Sequence, residues 1–220
     1  MGWFTRSLSS SIGKKFLMAL TGSFLLIFLI VHLFGNLFLF WGGEGEAFNT
    51  YAETLRGVPY ILIIEIILFA LFILHAIYGV TVWFENRKAK SKKYAVNAKS
   101  ENSSVFSRTM FISGSVIFIF LVIHLRDFWF AGVFGGHEES LYEIVVQAFS
   151  SPIYSGFYII AMILLFYHLN HAFQSAFQTF GWNHSKYFPL IKTVGTIYAI
   201  VMGIGFISFP VYFLFFYGGA

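Results

Sequence analysis

Imidazole both ligates metals and carries protons, and four long apolar runs each carry a histidine well inside them. His32 lies in LIVHLFG, His75 in FILHAIYG, His124 in LVIHLRD and His168 in LFYHLNH. An ionisable side chain at such a position is a functional candidate by default. For His168 taken alone, a hydrogen bond that glues one helix to another accounts for it equally well. Helical spacing puts Ala161, Ala172 and Ser175 on the face of His168, which leaves room beside the ring for something flat and bulky.

Positioning these rings requires membrane helices. The 220 residues are 58% hydrophobic, 21% aromatic and only 11% charged, where a soluble domain carries roughly a quarter charged. Five apolar stretches are long enough to span a bilayer, at about 16–41, 60–84, 109–133, 152–180 and 189–217. The expected fold is an all-α integral membrane protein, one membrane domain over 1–220 built as a five-helix bundle. The first run is too long for a signal-peptide core and no small-residue cleavage site follows it, so it reads as a mature helix. Continuous apolar runs exclude a membrane β-barrel. With no Cys, the chain offers no disulfide, no Fe–S ligand and no C-x-x-C-H haem attachment.

Charge orients the bundle. Twelve of the 14 basic residues fall before the first run, between the second and third, or around the fourth connection. Arg56 and Arg126 share the other side with Glu44, Glu46, Glu53, Asp127, Glu138, Glu139 and Glu143. The positive-inside rule then predicts a cytoplasmic N-terminus and an outside C-terminus. The net charge of +4 reads as topology, with no nucleic-acid partner. The polar segment 86–107 is either a solvated loop or a docking surface. In the outer loops 42–59 and 134–151, amphipathic stretches such as Leu141, Ile144, Val145 and Ala148 suit the lipid–water interface.

Depth pairs the histidines. His32 comes 15 residues after Leu17, His75 14 after Ile61, His124 14 after Met110 and His168 12 after Gly156. At ~1.5 Å per residue each stands roughly 20 Å along its helix, two-thirds of the way across a ~30 Å core. Alternating helix directions sort them into two layers, His32 with His124 toward the outside and His75 with His168 toward the cytoplasm. Two histidines from different helices at one depth can bind one metal axially from both sides. Gly35, Gly79 and Ala172 follow His32, His75 and His168 within one turn, as a porphyrin would require, while Phe128 follows His124. The spacing from His32 to His75 is 43 residues and from His124 to His168 is 44, which hints at a repeated helix pair. Two bis-histidine haems are the leading reading, and a histidine proton relay in a proton- or metal-coupled transporter is the alternative. Zinc wants four ligands together and fits poorly.

His171, one turn beyond His168, is the competing ligand if the register differs, or a partner for a haem propionate. His184 reads as an interfacial polar residue and His137 as a solvated one. Glu65 is read as the only acid embedded in the membrane, level with the outer pair. A lone carboxylate there must be protonated, paired or facing water. It is either a proton-handling group or a structural hydrogen-bonding one.

These residues resemble a family. SSSIGKKFLMALTG (Ser9 to Gly22), VHLFGN around His32, LHAIYG around His75 and YHLNHA with Gly181 thirteen residues after His168 are similar to the di-haem cytochrome b membrane anchors of succinate:quinone oxidoreductases. The resemblance is to the single-chain, five-helix form found in succinate dehydrogenase and fumarate reductase complexes, and it covers nearly the whole chain. It implies haem iron ligation by His32 with His124 and by His75 with His168, and favours His168 over His171. It further implies two b haems, menaquinone or another membrane quinone as substrate, and a flavoprotein and an iron–sulfur subunit docked on the cytoplasmic face. This chain would then be the electron-transfer and quinone-reactive subunit in a bacterial cytoplasmic (inner) membrane, without the dicarboxylate chemistry. Another quinone-linked di-haem cytochrome b is the nearer alternative. The fourth helix lacks the carboxylate near His168 through which some members are thought to move protons.

Overall fold

The computed structural model describes residues 2, 6–7, 9–41, 43–88, 105–134 and 139–217, with side chains from 109 onward in the third membrane helix. The regular elements among the described residues are all helical, with no strand. Five helices are long and apolar enough to cross a membrane: Ser11–Phe40, Ile61–Lys88, Thr109–Phe134, Pro152–Thr179 and Phe188–Phe215. We refer to them as the first to fifth membrane helices.

Local chemistry sets where these helices begin and end. The first starts five residues before its apolar run because Ser10 caps it, its hydroxyl accepting the Gly13 N–H at 3.0 Å. The fourth opens on Ser151 as cap and Pro152 in its first turn, where the missing N–H costs nothing. It closes at Gly181, whose φ of 85° lets the chain turn back while Trp182 N–H bonds to the Phe177 carbonyl. The third is not α-helical throughout. Residues Leu125–Phe130, directly after His124, form a π-helical stretch, a widening found mostly at functional sites.

Two short amphipathic helices cover one end of the bundle, Glu46–Arg56 and Leu141–Phe149. The second is fixed by a reciprocal cap: Ser140 N–H donates to Glu143 and Glu143 N–H donates to the Ser140 hydroxyl. Those bonds hold the Glu143 carboxyl below its usual range. Gly45 leads into the first at φ 78°, and a Cβ there would fall 2.0 Å from the Tyr142 ring, so both conformation and space require glycine. Asn49 then accepts the Tyr142 N–H at 3.1 Å, joining the two caps.

The core sits between the first, fourth and fifth helices. Ala161, Ser155 and Ala199 are fully buried there. Glycines set the closest approaches: a Cβ at Gly195 would meet Phe173 at 2.7 Å, and one at Gly205 would meet Leu33 at 2.8 Å. The fifth helix also receives one polar tie, Tyr198 donating to the Leu26 carbonyl at 2.8 Å. Interhelical bonds in a bilayer contribute about 0.6 kcal/mol on average, so close packing against small residues does more to hold these helices together. The second helix is peripheral. Val82 is its one buried residue, and Leu62, Ile63, Ile64, Ile66 and Ile67 are all exposed for lipid.

At the uncapped end, Lys14 of the first helix pairs with Glu85 of the second. A pair this exposed contributes about 1 kcal/mol or less.

Candidate functional site

The four histidines come together as two pairs. His32 of the first helix meets His124 of the third with ring centres 5.7 Å apart and planes at 88°. His75 of the second meets His168 of the fourth at 6.4 Å and 72°. The first pair lies toward the capped end of the bundle and the second toward the lysine-bearing end.

The pair His75/His168 is held by neighbouring helices. His75 Nδ1–H donates to the Met18 carbonyl at 3.2 Å, with Thr21 Oγ1 at 3.4 Å. Thr21 spends its own proton on the Leu17 carbonyl, so its oxygen can only accept from His75. His168 repeats the arrangement: its Nδ1 lies 3.3 Å from Ser113 Oγ, whose proton goes to the Met110 carbonyl. Engaging Nδ1 as a donor fixes the tautomer and leaves Nε2 free as a ligand, the usual outer-shell arrangement of metal-bound histidine. A glycine follows each hydroxyl residue and lies against the ring. A Cβ at Gly22 would stand 3.1 Å from His75 Cε1, and one at Gly114 3.5 Å from His168 Cε1.

The repeat hinted at by the histidine spacing thus has further members. Thr21 and Gly22 stand eleven and ten residues before His32, and Ser113 and Gly114 stand eleven and ten before His124. Each hydroxyl–glycine pair serves the histidine of the adjacent helix and not its own.

The pair His32/His124 sits among aromatic rings. Phe28 and Phe206 flank His32, and Phe120 and Phe128 flank His124. Phe128, which occupies the place where the other helices carry a small residue, packs on His124 at 5.3 Å between ring centres. His124 Nδ1 lies 3.3 Å from the Tyr158 hydroxyl. For His32 the nearest side-chain donor is Asn36 at 3.5 Å, a long contact, since Asn36 donates properly to the His32 carbonyl at 2.7 Å.

The remaining expected residues fall as follows. Glu65 is half-buried on the second helix and has no hydrogen bond or ion pair among the described residues. It precedes His75 by ten residues, and His75 lies against Gly22, itself ten residues before His32. In antiparallel helices of ~1.5 Å rise this puts Glu65 level with His32. It is not the only acid within the spans. Asp127 lies in the π-helical stretch with its side chain 20% exposed, accepting from Arg126 and from Tyr154. His171 is half-buried one turn from His168, which is the ring that meets His75. His184 accepts the Lys186 N–H in the turn before the fifth helix. His137 and Glu138 lie outside the described residues, as do Lys90, Lys92, Lys93 and Lys99 of the polar connection. Gly35 makes room for Tyr51 of the first capping helix, since a Cβ there would meet that ring at 2.7 Å. Gly79 has open space beside it.

These residues fit a haem. Two imidazoles bonding one metal from opposite sides at ~2 Å each put their ring centres about 6 Å apart, and both pairs lie near that separation. Among the described residues no three His, Cys, Asp or Glu side chains converge. Two imidazole donors facing each other at this separation suit an iron whose other ligands come from a macrocycle.

Comparison with known proteins gives the same direction. A family model described as the succinate dehydrogenase/fumarate reductase transmembrane subunit matches residues 85–212, from the end of the second helix into the fifth. The succinate dehydrogenase cytochrome b558 subunit of Bacillus subtilis (strain 168) is 30% identical over 176 residues, 80% of this chain and 82% of that protein. No solved structure gives a significant match. The chain is a multi-pass membrane protein and belongs to the succinate dehydrogenase/fumarate reductase transmembrane subunit family.

Proposed function

We propose that the chain is the membrane cytochrome b of a succinate:quinone oxidoreductase in the cytoplasmic membrane. It holds two b haems, one on His32 and His124 and one on His75 and His168. The observation that carries this is the meeting of four histidines from four helices as two pairs, at 5.7 and 6.4 Å. When bound, the haems supply one-electron transfer between an iron–sulfur partner and a membrane quinone.

The chain's own contribution is to hold and tune. Met18, Thr21 and Ser113 direct His75 and His168 through Nδ1. The rings around His32 and His124 exclude water. With the N-terminus cytoplasmic, His75/His168 is the inner pair and His32/His124 the outer, and the two short helices cover the outer face. The whole chain acts as one membrane unit. The flavoprotein and iron–sulfur subunits dock on the lysine-bearing face. The quinone, menaquinone by family resemblance, reacts near the outer pair, where Glu65 exchanges protons with it. A purified complex should show low-spin b-type absorption with two haems per copy of this chain. A haem-free preparation that still turns over quinone would overturn the reading.

A further inference from the structure

The outer pair differs from the inner one in what stands behind it. His75 and His168 bond to neutral oxygens, whereas His124 leads through two tyrosines to a carboxylate. The Tyr158 hydroxyl lies 3.3 Å from His124 Nδ1 and 3.0 Å from the Tyr154 hydroxyl, which lies 2.8 Å from Asp127 Oδ2. Arg126 closes the far end, its Nε and Nη2 at 2.5 and 3.0 Å from the two carboxylate oxygens. Tyr158 is buried and stacks on Tyr154 at 4.7 Å between ring centres, with Phe149 and Phe128 packed around it.

Proton counting gives the row a direction. Tyr154 has one hydroxyl proton, and the carboxylate is the strongest acceptor within reach, so Tyr154 donates to Asp127. Its oxygen then accepts from Tyr158, and the Tyr158 oxygen accepts the His124 Nδ1–H. All three bonds point toward the negative charge, and aligned hydrogen bonds polarise one another. A histidine whose Nδ1–H is drawn toward a carboxylate becomes a more basic ligand through Nε2. The π-helical turn makes the arrangement possible, since it begins directly after His124 and carries Asp127 where Tyr154 can reach it.

We propose that Tyr158, Tyr154 and Asp127 are positioning residues that fix the His124 tautomer and, by polarising its ring, stabilise the ferric state at the outer pair selectively. The inference rests on the two-haem reading above and adds to it a difference between the two sites.

The test is a spectroelectrochemical titration of the intact complex, with haem content measured per chain. The outer haem is assigned as the one missing in His32→Ala. Tyr158→Phe should raise its midpoint potential by at least the equivalent of a tenfold change in the ferric/ferrous ratio, ~59 mV for one electron. Tyr154→Phe and Asp127→Asn should shift it the same way by less, and the inner haem should hold its potential in all three. If Tyr158→Phe loses the haem, Tyr154→Phe decides, because Tyr154 is not in contact with His124. Unmoved potentials with intact haem, or equal shifts at both haems, would overturn the inference and leave the two-haem reading standing. A wild-type complex without haem would overturn both.

Discussion

His32 and His124 stand 92 positions apart in the chain, yet their rings meet at right angles with centres 5.7 Å apart. Such a meeting in the middle of two membrane helices has a specific genetic consequence. Replacing either member by Ala should abolish the same haem, while His75→Ala or His168→Ala abolishes the other. Haem content would fall from two to one per chain in each single variant, read from the haemochrome and the reduced-minus-oxidised spectrum. A crossed pattern, or full occupancy after His168→Ala with His171 taking its place, would refute the assignment.

The glycines beside His75 and His168 make a finer prediction. An added methyl at Gly22 would press to 3.1 Å from His75, inside normal contact, whereas one at Gly114 would rest at an ordinary 3.5 Å from His168. Gly22→Ala should therefore lower inner-haem occupancy severalfold or shift its spectrum, with the outer haem unchanged. Gly114→Ala should be near neutral. Equal behaviour of the two variants would show that the rings move freely.

Glu65→Gln preserves shape and hydrogen-bonding capacity while removing the titratable proton. Quinone-linked turnover should drop about tenfold or more, the scale of a lost acid–base contribution, with both haems retained. Unchanged turnover would reduce Glu65 to a structural residue.

Docking of the iron–sulfur partner should involve the face that carries Lys15 and Lys88. Lys14 is committed to Glu85, so Lys14→Ala is expected to loosen the first and second helices more than the complex. Photo-cross-linkers at positions 15 and 88 should capture the partner, and those at 44 and 53 should not. Capture from positions 44 and 53 would reverse the orientation and the electron path with it.

Much of this is legible in the sequence because a bilayer leaves few options. Hydropathy alone locates five spans, and a histidine in each of four of them points to ligation once their depths are compared. The capping helices are half visible: Leu141, Ile144, Val145 and Ala148 have amphipathic spacing, and the Ser140/Glu143 cap is a local signal. What escapes depends on rotation and local helix geometry. Tyr154 and Tyr158 look like members of an ordinary interfacial aromatic belt. Asp127 looks like a loop-side acid until the π turn brings it to Tyr154. Spacing suggests that Gly35 clears room beside His32, but it receives Tyr51 instead, while Gly22 and Gly114 contact the histidines of neighbouring helices. Contacts between helices are not encoded in the spacing along either one.

The internal repeat carries one more consequence. Each histidine pair takes one ring from the first two membrane helices and one from the third and fourth, so neither half of the chain contains a complete site. A metal bound at either pair is then a rivet between the halves. It would tie the second helix, which packs mainly on the first and has Val82 as its one buried residue, to the fourth. If the chain works as proposed, cofactor supply would thereby act as a checkpoint on assembly: a copy that lacks haem would lack the tie between its second and fourth helices, near the face proposed to receive its partners.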